Sequence, residues 1–242
     1  MSGLTLRYEP VGEALSVRNI LFVADVHVGV EIELKKKGIR VPDNTENRVT
    51  KIKTLIKISE PNTLVVVGDL KHTVAGVTRH EERSVRRLVE TLLELVDELI
   101  IVKGNHDGKI EKILRGTRAE VVGTKGIVMD GVYAFHGHAS PDPEALEEAK
   151  LVVMGHEHPV SNDIPGVTLK TFLEAVIDVD AWTGGRLDGE IEAVYLPAVD
   201  DLVGGTPLDE LGLTTPFSRG AVLDFSTVPV IEPEPWSGAL TR

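Results

Sequence analysis

Five short apolar runs in this chain each end in side chains of the kind that bind metal ions: ILFVADVH, TLVVVGDL, LIIVKGNHD, VYAFHGH and LVVMGHEH. A short run of branched apolar residues bounded by Gly and polar residues reads as a buried strand. Such a strand delivers whatever follows it to one edge of a sheet. The histidines are sorted in the same way. Of eight in the chain, His27, His106, His136, His138, His156 and His158 lie in these segments, His72 follows three residues after Asp69, and only His80 stands apart. The pattern requires a sheet-based fold whose strand ends meet at one centre.

The segments between the runs supply the rest of the architecture. Asp43 with Glu46 forms a capping-box pattern ahead of an amphipathic helix over Thr45–Ser59, which Pro61 stops. A second helix is predicted over Arg79–Asp97, with Val85, Leu88, Leu92, Leu95 and Val96 as its apolar stripe. Alternation of strand and helix indicates parallel βαβ units. Asp130-Gly131, between Ile127–Met129 and Val132–Phe135, is a two-residue hairpin signal. A helix over Pro143–Lys150 and a strand at Leu151–Met154 follow, then strands at Val167–Leu169, Ile191–Leu196 and Ala221–Phe225 and a Pro- and Gly-rich tail. No linker or repeat interrupts the 242 residues, so the expectation is one domain, 1–242, of mixed α/β class with two sheets.

Bulk composition narrows the setting. No apolar run approaches the ~18 residues of a membrane span, and the opening MSGLTLRYEP lacks the basic start and apolar stretch of a signal peptide. Cysteine is absent, which removes disulfides and thiolate ligands. The expected location is the cytoplasm, without a membrane partner, and a homo-oligomer is compatible with the sequence. A net charge of −12 argues against a general basic surface for nucleic acid. Bound divalent cations would nevertheless reverse the local sign for a phosphate-bearing substrate.

The donors are oxygen and nitrogen without sulfur: Asp25, His27, Asp69, Asn105, His136, His156 and His158. That set suits Mn²⁺, Fe²⁺ or Zn²⁺ better than a structural zinc site. GHEH is not the HExxH of a zinc-protease helix, because His156 and His158 are two residues apart. Arg79, Arg83, Arg86 and Arg87, interleaved with Glu81, Glu82 and Glu90, read as a solvated salt-bridged helix face. Lys35–Lys37, following the first ligand block, has the better claim to meet a polyanion.

In this order, DxH, GD, GNHD, HGH and GHEH resemble the five signature blocks of the calcineurin-like metallophosphoesterases, spanning Asp25 to His158. The resemblance implies a four-layer sandwich, two mixed sheets packed face to face with helices outside. It implies two divalent ions, Mn²⁺ first, with Fe²⁺, Zn²⁺ or Ni²⁺ as alternatives. One ion would sit on Asp25, His27, Asp69 and His158, the other on Asp69, Asn105, His136 and His156. His106 matches the family's catalytic histidine and Asp107 its orienting partner. His72, His138, Lys71 and Lys103 stand near the ligands in sequence as candidates for contact with substrate or for support of the ligands. GDLKH departs from the GDxVDRG of protein phosphatases and is closer to the GDLFH of SbcD/Mre11-related nucleases. With KKKGI-R-VP, GHEHP and LPAVDDLVGGTPL, the chain is most similar to small archaeal members of that group. The function implied is a phosphodiesterase that hydrolyses cyclic nucleotides or nucleic acid by metal-activated hydroxide attack. The alternatives are a phosphomonoesterase and a silent scaffold that keeps the fold as a binding module.

Overall fold

Alternation within each strand decides the layering. In the computed structural model, which describes residues 6–207, 220–231 and 233, the first sheet runs in the order β1 (Glu9–Val11), β2 (Ala14–Val17), β3 (Ile20–Val23), β4 (Thr63–Val67), β5 (Glu98–Val102) and β6 (Glu120–Val122). β1 to β3 form an antiparallel meander, and β3 to β6 are parallel. Between the parallel strands run α1 (Val30–Lys36), α2 (Thr45–Ser59), α3 (Arg79–Leu93) and α4 (Ile110–Ile113). Leu21, Val23, Leu64, Val66, Leu99 and Ile101 point to α2, α3 and α4. Their neighbours Ile20, Phe22, Val65, Val67, Ile100 and Val102 point the other way.

The second sheet contains β7 (Ile127–Met129), β8 (Val132–Ala134), β9 (Leu151–Met154), β10 (Pro159–Ile164), β11 (Val167–Asp178), β12 (Glu190–Tyr195), β13 (Thr206–Pro207) and β14 (Val222–Pro229). The order is β13-β10-β11-β12-β9-β8-β7, with β14 on β11. Val132, Ala134, Leu151, Val153, Phe172 and Val194 meet the inner face of the first sheet. Tyr133, Val152, Met154, Ala193 and Tyr195 pack instead with Trp182 of α6 (Val179–Thr183) and Leu146 of α5 (Pro143–Glu148). The four layers are thus helix, sheet, sheet, helix. Among the described residues, no helix is long and apolar enough to cross a membrane.

Several local expectations are corrected. α3 stops at Leu93 rather than Asp97: the Asp97 N–H, which a longer helix would give to the Leu93 carbonyl, donates to Asn62 O at 2.9 Å, and the Arg118 guanidinium takes the Leu93 carbonyl instead. The capping box does not form. Asn44 is the N-cap of α2, Asp43 accepts instead from the Thr45 N–H at 2.8 Å, and Glu46 pairs with Arg87. Glu81 leaves the solvated face and is fully buried, taking the Thr73 N–H at 2.8 Å. β11 runs on to Asp178, well past Leu169, and β1, β2 and β6 lie outside the anticipated strands. The Asp130-Gly131 turn has positive φ at both positions, 51° and 83°, as a tight hairpin requires. Most of the Pro- and Gly-rich tail, and the last residue of LPAVDDLVGGTPL, lie outside the described residues.

Candidate metal centre

The carboxyl ends of β3, β4 and β5 lie side by side, and those of β8 and β9 arrive from the second sheet. Loop-to-loop bonds tie the strand ends together, two between the loops after β3 and β4 and two from the loop after β12 to the loop after β3. Asp25 N–H donates to Gly68 O (3.1 Å), His27 N–H to Asp69 O (2.9 Å), Val199 N–H to Ala24 O (3.0 Å) and Asp200 N–H to Asp25 O (3.3 Å). Asp25, His27, Asp69, His156 and His158 all hold positive φ, so the chain turns sharply off each strand and aims these side chains inward. Two glycines make the approach feasible. A Cβ on Gly68 would collide with the His136 ring, and one on Gly104 with the Asp69 carboxylate.

Five of the seven expected ligands converge directly. His27 Nε2 is 3.8 Å from both Asp25 Oδ1 and Asp69 Oδ2, and 3.4 Å from His158 Nε2. His158 Nε2 lies 2.9 Å from Asp25 Oδ1, and His136 Nε2 lies 3.2 Å from Asp69 Oδ2. Asn105 joins through its side-chain oxygen, 3.2 Å from His136 Nε2. His156 stands further off, its ring centroid 5.1 Å from that of His136, and it contributes its backbone N–H to Asp25 Oδ2 at 3.0 Å.

The donor set fits divalent ions. Asp25 Oδ1 is buried without a hydrogen-bond partner, yet three ring nitrogens stand within 4.0 Å of it. A buried carboxylate oxygen ringed by imidazole nitrogens needs positive charge beside it, which protons on the rings or a bound cation can supply. The electrostatics agree. Burial pushes His27 down to about 3, so it is a neutral ligand at pH 7. Burial also opposes charge on His136, but Asp69 and Asp25 outweigh it and raise that ring to about 9. The same competition between burial and the surrounding imidazoles ends with Asp25 and Asp69 held below the usual carboxylate range.

His106 is 21% exposed, with Nε2 3.8 Å from Asp69 Oδ2 and its backbone N–H bonded to Asp69 Oδ1 at 2.8 Å. Its Nδ1 bonds the carbonyl of His72. The expected pairing of the Asp107 carboxylate with this ring is not formed. Asp107 is fully buried and accepts the backbone N–H groups of Gly104 (2.9 Å), Lys71 (3.1 Å) and Leu70 (3.3 Å). It therefore staples the loop after β4 to the loop after β5, and burial raises its pKa.

The remaining candidates separate cleanly. Lys71 is fully buried, with its ammonium on the carbonyls of Thr73 and His106, where it supports the loop. Lys103 turns away to Glu111 at 2.6 Å. His138 lies beside His136 and His156, and burial followed by those two rings pushes it down to about 4. His72 contacts His27 ring to ring and bonds Glu33. Sequence reasoning missed Glu33, the Gly204 carbonyl that takes His158 Nδ1 (2.9 Å), and the buried Arg48. The Arg48 guanidinium holds Asp200, next to that loop, and Glu31 (2.7 Å). Arg48 carried a signal, a cation on the apolar side of α2. The carbonyl carried none.

Comparison with known proteins agrees with this geometry. Among solved structures, the chain is similar to the nuclease MPE of Pseudomonas putida, at 19% identity and a TM-score of 0.54, covering 84% of this chain and 90% of that one. It also matches Yfce, a phosphoesterase from E. coli, at 17% identity and a TM-score of 0.43, over 88% of this chain and 99% of that one. No curated protein sequence matches. The Calcineurin-like phosphoesterase family (Metallophos) matches residues 18–185, well over half the chain and the whole stretch that carries the converging histidines and aspartates, and the chain belongs to that family.

Proposed function

We propose that this protein is a binuclear metal-dependent phosphodiesterase acting on nucleotidic substrates, with Mn²⁺ as the first ion to test. The observation that carries the reading is Asp69. Its Oδ2 lies between His27 Nε2 (3.8 Å) on the side of Asp25 and His158, and His136 Nε2 (3.2 Å) on the side of Asn105. A carboxylate so placed suits two ions that share it. Asp25, His27, Asp69 and His158 would hold one, and Asp69, Asn105, His136 and His156 the other. When bound, such a pair of cations supplies Lewis acidity toward the phosphoryl group and the attacking water.

The chain's own residues do the rest. His106 gives its Nδ1 proton to the His72 carbonyl and turns Nε2 toward the centre, where the protonated ring would donate to the leaving oxygen. Asp107 keeps the two ligand loops in register through three backbone bonds. One domain spanning the chain is supported by the inter-sheet layer, to which both sheets contribute. The nucleotidic substrate rests on the GDLKH segment, whose His72 lies against both His27 and His106. The P. putida protein is described as a nuclease, which motivates nucleic acid as one substrate to assay.

Hydrolysis of bis-p-nitrophenyl phosphate against p-nitrophenyl phosphate with Mn²⁺ tests the reading. Preference for the diester is expected. Preference for the monoester would make the protein a phosphomonoesterase, and two bound ions without hydrolysis of either would leave a binding scaffold.

A further inference from the structure

Three of the imidazoles placed as ligands, His27, His136 and His158, turn Nε2 into the acidic centre, and each has its Nδ1 tied. His136 and His158 give theirs to carbonyl oxygens, Val67 O at 3.0 Å and Gly204 O at 2.9 Å. A carbonyl only accepts, so in the neutral form, the one that binds a metal, both rings carry the proton on Nδ1 and keep a lone pair on Nε2. His27 is different. Its Nδ1 faces the Nδ1 of His72 at 3.2 Å, and a ring nitrogen can either give or accept. That contact alone does not decide which nitrogen of His27 is bare.

The decision lies one residue further out. His72 Nε2 is 2.7 Å from Glu33 Oε2, and a carboxylate only accepts. A neutral His72 therefore carries its proton on Nε2 and presents a lone pair at Nδ1. That lone pair takes the N–H of His27 Nδ1, and His27 Nε2 is left bare toward Asp25, Asp69 and His158.

We propose that Glu33 is a positioning residue for the metal centre, acting through His72 to fix the tautomer of His27. The inference rests on the binuclear reading above and deepens it. Glu33 stands on α1, the first element after the DVH block, with its side chain half exposed and its Oε1 on Lys37 at 2.5 Å. It touches no ligand itself. His72 would be a poorer handle, since its ring itself lies against both His27 and His106, whereas Glu33 can be altered on the surface without disturbing the core.

Two substitutions test the relay. Glu33→Gln keeps an acceptor for His72 Nε2, and Glu33→Met removes it. The first readout is the ring ¹⁵N shifts of His27 in metal-free protein at pH 8, where an ordinary imidazole is neutral. Wild type and Glu33→Gln are expected to show the Nδ1–H form, and Glu33→Met a mixture of the two tautomers. The second readout is Mn²⁺ affinity by calorimetry. It should fall roughly three- to tenfold in Glu33→Met, less than the ~10–100-fold typical of groups bonded directly to a ligand, and recover in Glu33→Gln. Persistence of the Nδ1–H form and of full affinity in Glu33→Met would overturn the proposal, as would an Nε2–H form in wild type. A wild-type protein that takes up no ion would defeat the binuclear reading instead, while the ring shifts would still decide the role of Glu33.

Discussion

Asp25, His27, Asp69, His156 and His158 stand at φ of 57°, 45°, 52°, 73° and 46°, a region that costs a non-glycine residue of order 1–3 kcal/mol. Such strain persists only where the surroundings enforce it, and here backbone bonds among the loops at the strand ends do so. Which residues gather was legible from the spacing of DxH, GD and GHEH. What orients them was not, because Val67 O, Gly204 O and His72 O are backbone atoms that any residue supplies. Asp107 shows the difference most sharply. Its place beside His106 in sequence suggests a pair, whereas its carboxylate serves three backbone N–H groups. Two substitutions should therefore give opposite signatures. His106→Ala is expected to lower kcat by ~10²–10⁴-fold, the scale of general acid–base catalysis, with Mn²⁺ content unchanged by elemental analysis. Asp107→Asn turns an amide donor on backbone donors, and should weaken Mn²⁺ binding by ~10-fold or more, as loss of an outer support does. Equal metal retention in the two variants would contradict this division of roles.

At the scale of elements, β9 and α2 are found at the bounds expected from the sequence, and β4 falls within the run TLVVVGDL. β1, β2 and β6 are short, and no ligand block follows them to mark an end. In TFLEAVID apolar residues fall at helical as well as alternating spacing, so only pairing to β12 and β14 makes it the rest of β11. The loop after β12 owes its place to another long-range contact. The Arg48 side chain reaches from α2 to Asp200 and Glu31 and is fully buried. Removing it would leave Asp200, already pushed up in pKa by burial, without its counter-charge. Arg48→Met should cost about 3–5 kcal/mol, the usual penalty for breaking a buried pair on one side, read from denaturant midpoints. It should also weaken Mn²⁺ binding, since Asp200 adjoins the loop whose Gly204 carbonyl orients His158. A smaller obstruction at the centre itself makes the companion case. Gly104→Ala puts a methyl into the Asp69 carboxylate, so metal uptake should be lost even where circular dichroism shows the fold retained.

For the whole molecule, the sandwich joins two sheets through one apolar layer and leaves their carboxyl ends to meet around a concentration of charge. Without ions, that charge is managed by protons. His136 is raised to about 9 because Asp69 and Asp25 outweigh the penalty of burial. A group raised in the fold binds its proton more tightly there than in the unfolded chain. Its contribution to stability is complete below about 6.5, the ordinary imidazole value, and is lost as pH rises through the folded value. His158 is raised for the same reason and acts in the same direction. His27, pushed down to about 3, is neutral in the fold throughout this window, whereas in the unfolded chain it is half protonated at about pH 6.5, so it opposes the slope only at the lower end, until the unfolded ring has lost its proton. The contribution of these rings should therefore make the metal-free protein melt at lower temperature at pH 9 than at pH 6.5. Divalent ions take over the task of the protons and compete with them, so they should bind more tightly as pH rises. At a free Mn²⁺ concentration 100 times the dissociation constant, one site adds about 2.7 kcal/mol. In a chain of this size that raises Tm by about 5–10 °C. The Mn²⁺-induced rise, measured by calorimetry at fixed free metal, should grow from pH 6.5 to pH 9, vanish with chelator, and be largely abolished in Asp69→Ala, which removes the carboxylate common to both donor groups. A rise that shrinks with pH would mean that protons and metal do not contend for these rings, and that the charge at the strand ends is balanced in some other way.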